Sequence, residues 1–388
     1  MADACIVGIG QTEFSKNSGR SELTLACQAI GAALDDAGLS PADVDGMTTF
    51  TIDNNEDVDL VRSLGIENLR FSSRVPHGGG GSTGTLAHAM AAVESGLANV
   101  VVGWRAMNER SEARFGTAHM TANSNVRGAG TGFIEWSVPF GALTPATWTG
   151  LQAQRYMERY GVTNEDLADV SVALRRAAAT NPQAWFYEKP ITKADHQASR
   201  WIVEPTFRLL DCCQESDGGV AFVVTTPERA ADLKQIPARI LHATQAVPFE
   251  TEVVTNFYHR DLTSFESGKK SAAELYGRTG LGPEDFQVAM LYDHFTIAVY
   301  WHLEAFGFCK PGEAADFVKE GHINLDGKIP LSPNGGLIGE AYIHGLNGIA
   351  EAVRQIRGTS VNQVDDVEHV LVTAGTGVPT SGLILGQP

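Results

Sequence analysis

"HGGGGSTGTLAHAMAAVESGLANVVVGW", residues 77–104, places four consecutive glycines ahead of a helical stretch and then an apolar strand. A glycine run lets backbone approach a neighbouring chain or a ligand closely, and the helix N-terminus behind it offers N–H groups with no partner inside the helix. The segment "LANVVVGW" (97–104) lacks polar alternation, as a strand covered on both faces does. Residues 77–104 therefore read as a glycine-led helix feeding a buried strand.

Outward from this unit the pattern repeats. "ACIVGIG" (4–10) is a short buried strand, and "SELTLACQAIGAALDDAGLS" (21–40) puts apolar residues at 23, 26, 27, 30, 34 and 37, one helix face with Ser21 as N-cap and Gly38 at the stop. "VDGMTTFTI" (44–52) is a further strand. The second half echoes the first: "AGLSPADVDGMTTFT" (37–51) returns as "TGLGPEDFQVAMLYDHFT" (279–296), and the glycine-led helix and strand return as "GLNGIAEAVRQIRG" (345–358) and "VEHVLVTAGTG" (367–377). Duplicated βαβ halves predict an α/β protein whose two glycine-led helix N-termini share one crevice.

Between the halves lies a polar, Gly/Thr/Asn-rich stretch, "TANSNVRGAGTGF" (121–133), then a helix after Thr163 with acidic residues in its first turn, Arg175 and Arg176 towards its end and Pro182 beyond. This reads as an inserted subdomain. The boundaries expected are 1–115 for the first part of the N-terminal half, 116–205 for the loop subdomain, 206–235 for completion of that half and 236–388 for the C-terminal half.

A chain of 388 residues exceeds what one hydrophobic core usually supports, in keeping with two halves. A net charge of −17 with no cluster of Lys or Arg excludes nucleic acid as the main partner. The start "MADACIVGIGQ" has no basic and apolar leader pattern, and no apolar run reaches the roughly 18 residues of a membrane span, so the expected location is cytoplasmic. Five cysteines without a CxxC pair suit a reducing compartment, and eleven scattered histidines without HExxH predict no metal site. "HGGGG" is accompanied by neither the G-x-S-x-G elbow of esterases nor the Gly-Lys-Ser/Thr of a phosphate loop, and Asp217 in "ESDGG" reads as a structural turn.

Over its whole length the chain resembles the thiolase superfamily, in the sterol-carrier-protein (lipid-transfer) branch. The resemblance is carried by "IVGIGQTEFS", "YGVTNEDLADVSVALRRAAATNPQA", "ITKADHQASRWIVEPTFRLLDCCQESDGGVAFVV" and "FGFCKPGEAADFVKEGHINLDGKIPLSPNGG" in that order. It implies a five-layered α/β/α/β/α fold of two duplicated βαβ halves with an inserted loop domain, a homodimer, and acyl-CoA thioester substrates. It also exposes three departures. The run "GSTGT" stands where relatives carry the nucleophilic cysteine motif, which puts Gly81 at the cysteine. "YDHF" stands for His-Asp-Cys-Phe, so Tyr292 replaces a histidine and His294 a cysteine, and "AYIHG" puts Tyr342 in place of the active-site histidine.

Thiolysis needs a thiolate to accept the acyl group and a base to generate it. With both gone, what remains is an oxyanion cradle, for which the candidates are the backbone at Gly81 and Gly375 and Gly377 of "TAGTG", with Ser82 and His344 as further substrate-binding candidates. A site that stabilises a thioester enolate without an acyl-enzyme suits direct Cα–Cβ cleavage of a β-hydroxyacyl-CoA, a retro-aldol reaction with Tyr292 and Tyr342 as acid and base. A phenol has a reference pKa of about 10, so the base needs help, for which the candidates are His294, on the same strand face if that segment is extended, and His344 beside Tyr342.

This constellation resembles the steroid side-chain-cleaving aldolases of the superfamily. That resemblance implies cleavage of a 17-hydroxy steroid acyl-CoA to a 17-ketosteroid and propionyl-CoA, no cofactor beyond the CoA of the substrate, and a heteromer with a DUF35-type OB-fold protein of an acyl-CoA hydratase. The aromatic stretch "FIEWSVPFGALTPATW" (133–148) suits either a large apolar substrate or loop-domain core. Two rivals stay open: a catalytically silent acyl-CoA-binding subunit, and a thiolase-like acyltransferase without a covalent intermediate.

Overall fold

The computed structural model describes residues 4–112, 114, 116, 137–249, 251, 257, 259–377 and 379–388. The Gly/Thr/Asn-rich stretch 121–133 and the aromatic residues up to Trp136 lie outside the described residues. The strands are β1 (Ala4–Gln11), β2 (Gly46–Phe50), β3 (Phe71–Val75), β4 (Val100–Asn108), β5 (Trp201–Val203), β6 (Phe207–Arg208), β7 (Asp217–Thr225), β8 (Ala238–Ala246), β9 (Val288–Met290), β10 (His369–Ala374) and β11 (Thr380–Gly386). Among the described residues, helices of eight or more residues are α1 (Glu22–Ala37), α2 (Asp57–Leu64), α3 (Ser82–Glu94), α4 (Pro145–Tyr160), α5 (Asn164–Thr180), α6 (Glu266–Thr279), α7 (Thr296–Ala305) and α8 (Leu346–Arg357).

The duplication is written in the hydrogen-bond ladders. In the first half β1 pairs antiparallel with β7, β7 antiparallel with β4, and β4 parallel with β2, which is parallel to β3. In the second half β8, β11, β10 and β9 repeat the same senses, and a parallel bridge from Ala289 to Leu331 stands where β3 stands in the first. The echoes between halves fall on equivalent elements: Gly38 and Gly280 both close a helix in the left-handed conformation, and short helical turns at Pro41–Asp43 and Pro283–Asp285 precede β2 and β9. The halves are not separate sheets. β1 also pairs antiparallel with β8 from Ala4↔Ile240 to Ile6↔Ala238, which joins nine strands in the order β3-β2-β4-β7-β1-β8-β11-β10-β9.

Five layers follow from which helix touches which strand. α1 covers β1, β4 and β7 from outside, and α6 covers β8 and β11. α3 packs against β2, β4, β8 and β11, and α8 against β1, β7, β9 and β10, so both lie between the two halves of the sheet. The apolar core accordingly falls into separate clusters, one under α1 and one around α3 and α8. α4, α5 and the β5–β6 hairpin follow β4 in the chain and pack against α7, where Asp211 accepts hydrogen bonds from Asn164, Thr296 and the backbone of Arg208 and pairs with His196. Trp148 belongs to this part, buried with its indole N–H on the Ala142 carbonyl.

Strand glycines set the distance between layers. A Cβ on Gly10 would lie 2.3 Å from the Ala29 carbonyl oxygen, and one on Gly8 would lie 2.1 Å from that of Ala33, so α1 sits directly on the β1 backbone. Gly31, inside α1, faces open space. Gly10→Ala is therefore expected to destabilise by about 1–3 kcal/mol or more, and Gly31→Ala to stabilise by roughly 0.5–1 kcal/mol, read as opposite shifts of the midpoint in denaturant.

Candidate active site

The N-termini of the two central helices meet. Gly345, with φ 86°, caps α8, and a Cβ there would lie 3.1 Å from both the Ser82 Oγ, at the start of α3, and the Tyr292 Cε2. The glycine run is explained residue by residue. A Cβ on Gly78 would lie 2.8 Å from Ile52 and 3.1 Å from the His344 ring; one on Gly79 would lie 1.4 Å from the Tyr292 hydroxyl oxygen; one on Gly80 would lie 1.8 Å from the Pro379 carbonyl oxygen; one on Gly81 would lie 2.9 Å from Val75. Four different walls press on four successive residues.

The directions of the missing Cβ atoms tell the four glycines apart. A side chain at Gly81 would point at Val75 and the Pro76 carbonyl, away from the tyrosines, whereas one at Gly79 would enter the site. The Gly81 N–H is also already used, donating to the Gly78 carbonyl at 2.8 Å. The first N–H groups of a helical turn have no partner within it, and in the turn Gly79–Gly81 these belong to Gly79 and Gly80. Ser82 is buried and its Oγ has no hydrogen-bond partner among the described residues. Gly375, with φ 79°, faces Gly80 across the crevice, its own Cβ position 2.8 Å from the Gly80 Cα. Gly377 has its carbonyl turned to the hydroxyls of Ser267 and Thr380.

Tyr292 and Tyr342 come together as a pair, their hydroxyl oxygens 3.0 Å apart. Tyr292 follows β9 and its backbone N–H donates to Thr373 Oγ1 at 3.2 Å; the next residue, Asp293, accepts from the N–H groups of Leu337 and Ile338 at 2.9 and 3.0 Å. Tyr342 donates its backbone N–H to Ser216 Oγ at 3.3 Å. Leu337, Ala374 and Cys213 pack around the two rings. Burial pushes the pKa of both phenols above the usual value near 10, so neither ionises at neutral pH. The Asp293 carboxyl is raised to about 6 by burial, against the pull of the two N–H groups it accepts.

The histidines act differently from the sequence reading. β9 ends at Met290, so Tyr292 and His294 do not share a strand face; the His294 Nδ1 instead lies 3.5 Å from the Tyr292 carbonyl, and its Nε2 lies 3.2 Å from Thr376 Oγ1. Its ring still lies against Tyr292, tilted by 47° with centroids 5.0 Å apart, and burial lowers its pKa to about 4. His294 is neutral at pH 7 and supplies no cation to the phenol.

His344 is set by two residues that sequence inspection missed. Arg105 Nε donates to His344 Nδ1 at 3.0 Å, and Arg105 Nη1 donates to Asp53 Oδ2 at 2.8 Å. A guanidinium only donates, so Nδ1 is the acceptor and the ring proton sits on Nε2. Burial and then the Arg105 charge hold the His344 pKa well below its usual value. The ring is thus a neutral donor, and its Cε1 and Nε2 each lie 3.1 Å from where a Gly78 Cβ would be. His344 keeps φ 50°, a left-handed conformation that costs a non-glycine residue on the order of 1–3 kcal/mol.

Comparison with known proteins agrees with this architecture. Residues 251–387 match the thiolase C-terminal domain-like family. The chain is 54% identical over 383 residues to the steroid side-chain-cleaving aldolase of Thermomonospora curvata, covering 99% of this chain and 97% of that protein. It is also 54% identical over 385 residues to the 17-hydroxy-3-oxo-4-pregnene-20-carboxyl-CoA lyase of Mycobacterium tuberculosis, covering 99% of each. Its fold superposes on the solved Ltp2-ChsH2(DUF35) aldolase with a TM-score of 0.94 at 53% identity, over 100% of this chain and 98% of the other. The chain belongs to the thiolase superfamily, in the sterol-carrier-protein-like branch that contains the steroid side-chain-cleaving aldolases.

Proposed function

We propose that the chain is a carbon–carbon lyase that cleaves a 17-hydroxy steroid side-chain CoA thioester by retro-aldol reaction, giving a 17-ketosteroid and propionyl-CoA. The observation that carries this reading is the placement of the Tyr292 hydroxyl in the space of a side chain at position 79, 3.0 Å from the Tyr342 hydroxyl. No nucleophile can stand at Gly79, and two proton-carrying oxygens stand beside it.

The proton balance of the reaction suits such a pair. The C17 hydroxyl loses a proton and the thioester α-carbon gains one. One tyrosine oxygen takes the hydroxyl proton while its own proton passes to the other tyrosine, whose proton goes to the α-carbon. The C17–Cα bond breaks, its electrons enter the thioester as an enolate, and protonation of the α-carbon completes propionyl-CoA. Both tyrosines end as they began, so neither needs to be a preformed tyrosinate. The developing enolate oxygen is assigned to the N–H groups of Gly79 and Gly80 and the His344 Nε2–H, with Ser82 Oγ nearby. The relay requires no cofactor and no metal.

The solved aldolase with a DUF35 component supports an assembly of this chain with a DUF35-type OB-fold protein of an acyl-CoA hydratase. A homodimer core is supported by β3, whose outer edge pairs with no strand among the described residues. Five free cysteines support a reducing, cytoplasmic location, and no described helix is long and apolar enough to cross a membrane.

The decisive assay supplies the thioester to the co-purified complex without free CoA. Equimolar 17-ketosteroid and propionyl-CoA are expected; no release without an added acceptor would favour an acyltransferase, and binding without turnover a silent subunit. Tyr292→Phe and Tyr342→Phe, each purified as folded protein, are each expected to lower kcat by about 10²–10⁴-fold. Because burial raises both phenol pKa values, kcat is expected to stay flat from about pH 7 to 9; a preformed tyrosinate base would instead raise it about tenfold per pH unit.

A further inference from the structure

The peptide bond that leads into Tyr342 is clamped at both ends. Its N–H, that of Tyr342, donates to Ser216 Oγ at 3.3 Å, and its carbonyl, that of Ala341, accepts from Asn347 Nδ2 at 3.0 Å. Asn347 stands in the first turn of α8, and its amide is held in turn by Glu340, whose Oε2 accepts from the same Nδ2 at 2.8 Å. Both Asn347 amide hydrogens thus have acceptors, while its buried Oδ1 has no partner among the described residues. An unmade buried acceptor is costly, so this orientation is dictated by the two oxygens that need the hydrogens.

Glu340 is fully buried at the end of the helical turn Gly336–Gly339, two residues before Tyr342. Among the described residues only amides donate to its carboxyl: Asn347 and Asn334 to Oε2, and Asn181 to Oε1 at 3.2 Å. A carboxylate accepts from all three, whereas a carboxylic acid has a hydrogen of its own to donate. The side-chain oxygens of Asn181 and Asn334 are taken by the N–H groups of Gln183 and Gly336, so the acceptor left for that hydrogen is Asn347 Oδ1. Turning the Asn347 amide to offer Oδ1 withdraws Nδ2 from the Ala341 carbonyl and sets oxygen against oxygen there.

Resting on the retro-aldol reading, in which Tyr342 carries a proton, we infer that Glu340 is a positioning residue: as a carboxylate it fixes the Asn347 amide, and through it the Ala341–Tyr342 peptide and the Tyr342 hydroxyl beside that of Tyr292. Glu340 touches no reacting atom; it holds the two hydroxyl oxygens at their 3.0 Å separation. The groups around it set when it is charged. Burial raises its carboxyl to about 7; Arg354 of α8 and the amides of Asn347 and Asn334 oppose that rise, and Glu351 of α8 adds to it. A carboxyl so raised is ionised above about pH 7 and protonated below, so the clamp loosens as the pH falls.

The test compares the wild-type complex with Glu340→Gln, a neutral side chain of nearly the same shape. Crystal structures at about pH 8 read the distance between the two tyrosine hydroxyls, and cleavage of the 17-hydroxy steroid thioester is followed from about pH 8 down to 6. Glu340→Gln is expected to open the hydroxyl distance beyond about 3.5 Å and to lower kcat at about pH 8 at least about tenfold. Wild-type kcat is expected to drop at least about fivefold between about pH 7 and 6, and that of Glu340→Gln about twofold, the share left to Asp293, whose carboxyl is raised to about 6. An unchanged hydroxyl distance in Glu340→Gln overturns the proposal, as does an unchanged kcat or an acid limb as steep as that of wild type. A wild type that keeps its kcat down to about pH 6 overturns it too. If Glu340→Gln does not fold, Asn347→Ala takes its place with the same expectations, because without that amide the protonation of Glu340 no longer reaches Ala341. A wild-type complex that releases no ketosteroid overturns the retro-aldol reading instead, and the clamp is then judged on the hydroxyl distance alone.

Discussion

The contact between the Tyr292 hydroxyl and the backbone of Gly79 is the constraint on which the rest of the site depends. With a Cβ position 1.4 Å from that oxygen, any side chain at 79 and the observed tyrosine exclude each other. The superfamily's fold brings two glycine-led helix N-termini to one crevice, and in this chain the crevice is filled from the second half by a phenol instead of being armed from the first by a nucleophile. Gly78 and Gly80 then hold the same turn against His344 and the loop carrying Gly375, so the removal of one side chain and the closeness of three walls are the same structural fact.

Electrostatics decides how a pair of phenols can work there. Ionising a phenol of reference pKa about 10 at pH 7 costs about 4 kcal/mol in water, and burial adds to that cost. The neighbouring groups do not offset it: His294 and His344 are neutral, and the Arg105 charge is paired with Asp53. A relay in which each oxygen gains one proton as it loses another avoids forming a tyrosinate at all. The buried Arg105–Asp53 pair serves a different end, fixing the tautomer of His344 so that its donor edge faces the glycine turn.

Much of this was legible in the residues. Glycine stops, capping residues and the recurrence of 37–51 at 279–296 pointed to two βαβ halves, and replacement of two family histidines by Tyr292 and Tyr342 marked the pair that the fold brings together. The resemblance puts Gly81 at the family cysteine, but four identical glycines offer no landmark for which of them faces the tyrosines; only the direction of each missing Cβ marks Gly79. A shared strand face for Tyr292 and His294 requires that the segment stay extended, and alternation cannot reveal that the chain turns after Met290 to bring the Asp293 carboxyl to Leu337 and Ile338. Arg105 and His344 lie 239 positions apart, and Asp53 and Arg105 lie 52 apart, on elements that only the sheet topology brings together. The β1–β8 pairing that joins the halves was hidden for the same reason.

The central claim, that the neutral tyrosine pair spans the bond to be broken, is tested most directly by a crystal structure of the complex with an uncleavable 17-deoxy steroid acyl-CoA. The thioester oxygen is predicted to lie at the Gly79–Gly80 N–H groups, with one tyrosine hydroxyl within about 3.5 Å of the α-carbon and the other beside C17. A ligand bound with its α-carbon and C17 both out of reach of Tyr292 and Tyr342 would contradict the account.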